Sequence, residues 1–516
     1  MDNMKKIFTL LALLISALTM SATDYTDTMT VSINNKIVAG QKATISLNQA
    51  DGKYEFKLNN FSLSMGGQQT PVGTIDLKNV EGTTANGVIT LNTNQNITIA
   101  AGDNTNIQWI GPILGSVPVV LRAEQRNNSL YAVIDINMLS LNIQVVFGTG
   151  GYQIPNSGFE SYHTASMTSL LTNEPVSSPE PNAWHSFMSA DGSLAGIAGA
   201  SPYVAKSDSI CPGSVGSHSI MIYSCNIFGV YANGTLTTGR LHAGSPFATD
   251  PDNHTYLDMD SIAVDGNGDP FYTIMNGRPD SLDVWVKFKQ GTFIAEHPYA
   301  TISAAITDGT YYQDPQDKEY TNVLATAKNN KIESKNFVWQ HLSIPFNYVD
   351  NKVNGKAILV TISTNADAGV GGMDTLYVDD VNLVYNGGLK SATFSGVTID
   401  AKDSISENTY NVSAFSDFNP DQISVQSNGA GATSVKTLSD NNKTATITII
   451  SGDLKSAETY TFHATGTVSG ISTVSTSSND KITDIYNLNG QKVNKILPGQ
   501  IYVVHYASGK TIKLIK

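Results

Sequence analysis

A two-residue hydrophobic period runs through most of the chain and restricts its fold more than any other feature. In 52–58, Tyr54, Phe56 and Leu58 share one face while Lys53, Glu55 and Lys57 take the other. Leu130, Ala132, Ile134, Ile136 and Met138 repeat the alternation, and Leu141, Ile143, Val145 and Phe147 continue it. Runs of this kind, separated by Gly, Asn and Asp turn residues, predict an all-β protein. At 516 residues the chain exceeds what one core organises, so several β domains are expected. Eight or so strands in 25–148 are enough for a small closed barrel filled by its own side chains.

Charge narrows the function classes. The chain carries 31 basic and 44 acidic residues, and a nucleic-acid partner would need a clustered positive surface. Residues 1–22 read as a signal peptide: Lys5 and Lys6 start it, Ile7 to Leu18 form an apolar core, and Ser21 and Ala22 end it. That core is too short to span a bilayer, and no later stretch is long enough. No Cys lies near the cleavage point to take a lipid, so a soluble exported chain is expected, in the periplasm, on the outer-membrane surface or outside the cell. The two cysteines, Cys211 and Cys225, would close a loop worth about 3 kcal/mol as a disulfide. Two unpaired buried thiols are the alternative. The nine His residues show no ligand spacing, and two lone cysteines do not make a metal site.

Several stretches resemble known families. D-G-K-Y-E-F-K-L-N-N-F-S-L (51–63), P-V-G-T-I-D-L-K-N-V (71–80), W-I-G-P (109–112) and V-I-D-I-N-M (133–138) resemble the calycin-like barrel of exported Bacteroidetes proteins, here 24–148. Asn156-Ser-Gly-Phe-Glu160 and Tyr377-Val-Asp-Asp-Val-Asn-Leu-Val-Tyr385 resemble the first and last strands of carbohydrate-binding β-jelly-roll domains. With P-N-A-W (181–184), G-S-H-S-I-M (216–221), T-G-R-L-H-A-G (238–244), G-R-P-D-S-L-D-V-W-V-K-F (277–288) and W-Q-H-L-S-I-P-F (339–346), they mark 152–386 as similar to a gut Bacteroidetes domain named for carbohydrate metabolism. That resemblance implies a glycan or polysaccharide partner. It also implies that the two end strands lie together, with Glu160 and Asp379 or Asp380 holding a structural Ca²⁺. Alternation in 393–399, 423–427 and 444–450 predicts an immunoglobulin-like sandwich over 389–468. A Ser/Thr-rich linker follows at 469–479. Y-N-L-N-G-Q-K-V (486–493) and L-P-G-Q-I-Y-V-V (497–504) give 481–516 a resemblance to C-terminal sorting modules of type IX secretion, or to a small β-unit capping the sandwich before it.

Ca²⁺ takes six to eight oxygens, which two carboxylates and turn carbonyls can supply. Asp265-Gly-Asn-Gly-Asp269 begins like an EF-hand loop, but Pro270 and Asn276 stand where Gly and Glu are required, so a turn is expected. Sugars are gripped by flat aromatic faces with polar groups at their rims. Leu282, Val284, Val286 and Phe288 form one face of their strand, which puts Trp285 on the other with Asp283 and Lys287. Trp285 is either a sugar platform or a second buried face. Trp184, read in a loop, and Trp339, on a strand partly apolar on both faces and so expected in the core before a sugar platform, are the other aromatic candidates. Arg278 either meets a ligand or forms a salt bridge at a strand start. No H-E-x-x-H, G-x-S-x-G, phosphate-loop or C-x-x-C motif occurs. Asp283, Asp308 and Asp314 neighbour aromatic residues, though nothing singles them out as a hydrolytic pair. The expectation is an exported, non-catalytic glycan-binding or glycan-handling protein with room for protein partners at the cell surface. A carbohydrate-cleaving enzyme and an adhesion protein without sugar affinity are the rivals.

Overall fold

The computed structural model describes residues 22–466 and 481–515, apart from 51, 66–67, 139, 350–352, 498–499 and 508. The expected leader, except Ala22, and the linker 469–479 lie outside the described residues. The fold is all-β, and the longest helix described is the four-residue Ala195–Ala198. The chain forms two compact units. One comprises Met1–Gly388, Asn428–Thr433 and Ile449–Ala457, and the other comprises Leu389–Ser427, Ser434–Thr448 and Glu458–Lys516.

In the first unit, eight strands from Thr23–Ile33 to Leu141–Phe147 close into a barrel. The first strand pairs with the last at Met29↔Phe147 and Val31↔Val145, which leaves no open sheet edge. Phe56, Leu58, Ile134, Val145 and Phe147 fill the interior with no exposure, as their alternation predicts.

On the strand Ser129–Met138, the outward residues Tyr131 and Val133 join the core of the following domain. Tyr131 lies 4.9 Å from the Tyr152 ring, which meets Tyr385 edge-on at 5.8 Å. The Tyr131 hydroxyl donates to the Asp453 carbonyl at 2.6 Å, and Arg122, paired with Asp135, donates to the Leu454 carbonyl at 2.6 Å. Partners of this kind remove most of the cost of burying polar groups in an apolar layer. Gly150 and Gly151 sit at φ 59° and 74°, and a side chain at Gly150 would strike Tyr131 Cγ at 2.6 Å. The Gly-containing junction 149–155, a short linker by its sequence, is therefore a packed joint.

Residues 152–386 build a two-sheet antiparallel sandwich. Its five-stranded sheet runs Val204–Ser207, Ser219–Tyr223, Thr375–Val384, Ser281–Lys289, Gln340–Pro345. The facing sheet runs Thr235–Thr237, Gly355–Ser363, Ala300–Thr307, Val323–Ile332, Asn347–Tyr348, with Thr273–Gly277 also on Gly355–Ser363. Leu282, Val284, Val286, Phe288, Leu376 and Val378 from one inner face share a core with Ile302, Ile306, Ile358, Val360 and Ile362 from the other. Each such side chain contributes about 1.5–3 kcal/mol. A small sheet of Arg240–Ala243, Asn253–Tyr256 and Gln313–Asp314 and a hairpin of Tyr162–Thr168 with Pro175–Pro181 complete this domain's larger elements.

The opening segment expected as a strand is instead a run of turns. It still lies along the closing strand. The Gln153 amide donates to the Leu383 carbonyl at 2.6 Å and accepts the Leu383 N–H at 2.9 Å, as a neighbouring strand would, and Val381 N–H donates to the Ser157 carbonyl at 2.9 Å. Asn156 and Phe159 at positive φ break the extended path, which explains the departure.

The second unit holds a three-stranded sheet of Val397–Asp400, Leu389–Phe394 and Ile423–Ser427 and a four-stranded sheet of Thr409–Val412, Ala457–Ala464, Thr444–Ile450 and Thr433–Leu438. Phe394 packs 4.6 Å from Phe418 and 4.9 Å from Phe462. The run 393–399 is a hairpin rather than one strand, because Ser395 and Gly396 take φ 45° and 88°. Thr409–Val412 pairs parallel with Ala457–Ala464, unlike an all-antiparallel sandwich. Ile482–Asn487, Ile501–Tyr506 and Thr511–Ile515 form a separate three-stranded sheet.

The shared aromatic layer makes a prediction. Tyr131→Ala should cost about 3–5 kcal/mol, as core aromatic truncations do, and Tyr131→Phe about 1 kcal/mol for the lost hydrogen bond. Urea midpoints of the full chain measure both, and an unchanged midpoint for Tyr131→Ala would contradict the packed joint.

Candidate functional site

The outer face of the five-stranded sheet gathers most of the residues singled out in the sequence. Strand alternation buries Leu282, Val284, Val286 and Phe288 and leaves Asp283, Trp285 and Lys287 half-buried on the other side. Pairing then sets the neighbours. Trp285 stands opposite His341 on one side and Asp379 on the other, Asp283 opposite Ser343, and Lys287 opposite Tyr377. The Trp285 and His341 rings are 5.0 Å apart at 35°, and the His341 side chain is about half exposed. Asp283 accepts from the Ser281 hydroxyl at 2.8 Å and the Ser343 hydroxyl at 2.6 Å, with His341 Nε2 3.5 Å from its other oxygen. A half-buried indole thus sits beside an imidazole and a rim of oriented hydroxyl and carboxylate groups.

Next along this face, the Lys287 ammonium lies 4.4 Å from the Tyr377 ring, 4.7 Å from Phe337 and 5.2 Å from Trp339, and it donates to the Ser209 hydroxyl at 2.7 Å. Ring faces attract the cation, while burial pulls its pKa below the ordinary lysine value. Trp339 is accordingly half-buried against Lys287 and Tyr377 rather than in the sandwich core. Phe337 and Tyr377 were not among the aromatic candidates, since only the pairing of distant strands brings them to Lys287.

Two ligand candidates fall elsewhere. Trp184 has no exposed surface; its indole N–H donates to the Pro155 carbonyl at 3.1 Å and its ring packs 5.2 Å from Phe159. Being in the core, it cannot serve as a sugar platform. Arg278 is also buried, with its guanidinium 4.2 Å over the Tyr348 ring and Nη1 3.4 Å from the Val353 carbonyl. Among the described residues it forms no salt bridge, so it meets neither expectation.

Asp379 continues the Trp285 row but is covered by the loop that carries Cys211. Cys211 N–H donates to Asp379 Oδ2 at 2.9 Å, and the Cys211 thiol lies 3.4 Å from Asp380 Oδ2. Asp380, at φ 48°, is the irregular residue that returns Val381 to the core. Glu160 accepts from the backbone N–H groups of Ser217 and His218 at 2.9 Å. Burial, with the Asp380 charge adding, pushes the Asp379 carboxyl up to about 6; burial and the Glu160 charge raise Asp380. Among the described residues no Lys or Arg pairs with any of the three. Asp379 and Asp380 converge with the Cys211 thiol within 4.8 Å and without a counter-charge, which fits a cation. The buried thiol, its pKa also raised by burial, adds no hard ligand, and Glu160, held by Ser217 and His218, is not in that group. Both cysteines are unpaired: Cys225 Sγ donates to the Pro202 carbonyl at 3.3 Å while Cys211 faces the aspartates, so the disulfide expectation is corrected.

Asp265-Gly-Asn-Gly-Asp269 forms the expected turn, closed by Asp265 Oδ1 on the N–H groups of Asn267 and Asp269 at 2.9 and 2.8 Å. Asp308 accepts from Thr310 and Asp314 from Ser303. A second polar and aromatic patch had no sequence signal. Asp191 accepts from Tyr256 at 2.9 Å, meets His242 Nδ1 at 2.8 Å and lies 3.6 Å from Arg240, while His242 stacks on His254 at 5.1 Å. Asp191 lies about fifty residues or more from Tyr256, Arg240 and His242 in the chain, beyond any local spacing.

The raised Asp379 carboxyl predicts a pH effect. Its ordinary pKa of 3.8 applies unfolded and about 6 folded, so its stabilisation is complete below pH 3.8 and is lost as pH rises through 6. With a chelator present to keep the site free of cations, the wild-type melting temperature should therefore fall more steeply between pH 5 and 7.5 than that of Asp379→Asn, as thermal denaturation at both values would show. Equal slopes would contradict a buried, uncompensated Asp379.

Among solved structures, the mosquito-larvicidal Cry4Aa toxin from Bacillus thuringiensis is similar at 8% identity and a TM-score of 0.17, over 72% of this chain and 54% of the toxin's. This chain thus spans about half of that one, and no inference rests on so distant a likeness. No curated protein matches. Residues 22–150 match the family model described as the calycin-like beta-barrel domain, and their closed eight-stranded sheet agrees: this segment is a calycin-like barrel.

Proposed function

We propose that the protein is exported and binds glycan without cleaving it, through the outer face of the five-stranded sheet. The observation that carries this reading is Trp285, half-buried on the outer face of a rigid central strand beside His341, with Asp283 and Ser343 at its edge. A pyranose stacks its C–H face on such a ring, and fixed hydrogen-bonding groups at the rim orient its hydroxyls. Regular strands hold these groups more firmly than loops do. The resemblance of 152–386 to carbohydrate-binding jelly rolls supports the same reading. Export to the periplasm, outer-membrane surface or medium rests on the leader-like residues 1–22.

In this proposal Glu160, Asp379 and Asp380 hold a structural Ca²⁺ that fastens the opening segment to the closing strand. The ion would neutralise the carboxylates and leave the sugar chemistry untouched.

Binding to a panel of polysaccharides by affinity electrophoresis tests the main claim. Trp285→Ala should weaken binding at least tenfold in a chain that still unfolds cooperatively. Sugar release by the wild-type chain would favour the enzyme instead. Silence across the panel from a folded chain would favour adhesion without sugar affinity. For the ion, Ca²⁺ at a hundredfold excess over its Kd should add about 2.7 kcal/mol to wild-type stability and nothing to an Asp379→Asn/Asp380→Asn double variant. An equal gain in both chains would refute the assignment.

A further inference from the structure

A second cluster of ligand-type side chains lies away from both the aromatic face and Asp379. His163 and Glu180 are cross-strand partners in the hairpin of Tyr162–Thr168 with Pro175–Pro181. His185 follows Trp184, its backbone bridged to Thr237, and Asp265 opens the Asp-Gly-Asn-Gly-Asp turn. His163 Nε2 lies 3.4 Å from Asp265 Oδ2 and 3.8 Å from Glu180 Oε2, and His185 Nδ1 lies 3.6 Å from Asp265 Oδ2. The side chains of Glu180, His185 and Asp265 have no exposed surface, and that of His163 has 9%. None of the four inward atoms has a hydrogen-bond partner among the described residues.

The outward atoms of the same side chains are all held. Glu180 Oε1 accepts from the Ser186 N–H and hydroxyl at 2.6 and 2.5 Å. Asp265 Oδ1 accepts the two turn N–H groups described above. His185 Nε2 lies 3.2 Å from the Pro270 carbonyl, which can only accept, so Nε2 carries the proton and Nδ1 turns a lone pair inward. His163 Nδ1 lies 3.1 Å from Asn182 Oδ1, and by the same logic its Nε2 lone pair points inward. His163 Nε2, Glu180 Oε2 and Asp265 Oδ2 thus face one another within 4.8 Å, with His185 Nδ1 beside Asp265 and no donor between them among the described residues.

We infer that His163, Glu180, His185 and Asp265 form a binding site for one divalent transition-metal ion, Zn²⁺ by ligand set and spacing. Ligands bonded about 2.0–2.1 Å from a tetrahedral Zn²⁺ lie about 3.3–3.4 Å from each other. His163 and His185 already stand 3.4 and 3.6 Å from Asp265 Oδ2, and the ion would draw Glu180 and His185 in. Two imidazoles suit Zn²⁺ and disfavour Ca²⁺, which needs more ligands and all of them oxygen. The double positive charge balances two carboxylates in a dry pocket. Held outward atoms are the outer-shell arrangement that orients metal ligands. With four protein ligands and no open position, the ion has a structural role, fastening the hairpin and the 265–269 turn to the sandwich.

The test uses the full chain purified without a polyhistidine tag. Elemental analysis should find about one zinc per chain. A His163→Ala/Glu180→Gln variant should retain less than a tenth of that, while Asp379→Asn retains it all. On wild-type chain stripped with a chelator, Zn²⁺ should restore the lost melting temperature, and Co²⁺ should give the intense visible bands of a tetrahedral site; this arm holds even if the double variant does not fold. Stripped wild-type chain that takes up neither ion would overturn the inference, leaving a buried water between the acceptors. Equal zinc in wild type and a folded double variant would overturn it as well.

Discussion

The Ser281–Lys289 strand can bury only one of its faces in the sandwich core, and the arrangement of the candidate site follows from that. Because Leu282, Val284, Val286 and Phe288 occupy the inner side, Asp283, Trp285 and Lys287 must stand on the outer one. Slipping the pairing by a single residue would put a charged ammonium and a carboxylate into the apolar layer and Phe288 into water. Pairing with Thr375–Val384 and Gln340–Pro345 then fixes which side chains from distant parts of the chain stand beside the indole. The irregularity at Asp380 matters for the same reason. One extra residue lets Asp379 share the outer face with Trp285 while Val381 and Leu383 return to the core.

Features with a local physical cause were legible in the sequence. Period-two alternation located the barrel strands and put Trp285 opposite the core face, because side-chain direction in a strand depends only on neighbours in the chain. The Asp265–Asp269 turn was readable because its hydrogen bonds span four residues. Trp184 was misplaced for a related reason: it sits in an irregular segment, where no period reports direction, and its burial depends on Phe159 and Pro155. Arg278 looked like a ligand or ion-pair residue, yet it is covered by Tyr348, seventy residues further on.

The two carboxylate clusters mark the limit of linear reading most clearly. Sequence connects Glu160 with Asp379 and Asp380 only through resemblance to a family in which the two chain segments meet. No such guide exists for His163, Glu180, His185 and Asp265. Their spacings of 17, 5 and 80 residues follow no metal-binding pattern, since a hairpin register, a strand bridge and a turn each supply part of the geometry. Prolines 175, 179 and 181 further disguise the second hairpin strand, where they are tolerated because one edge of it needs no ladder donors.

The glycine joint between barrel and sandwich has a consequence for how the protein withstands proteases. Gly150 and Gly151 are the kind of residues at which polypeptide chains are often nicked, but here they are wedged against Tyr131 and Asn276. A protease must draw an extended stretch of chain into its cleft, which would require peeling Tyr152 and Ile154 from a common apolar layer first. Even a severed chain would stay assembled through that layer and through the Arg122, Tyr131 and Gln144 contacts to 453–455. Cleavage at the joint would then be visible on a denaturing gel and silent in the shape of the molecule.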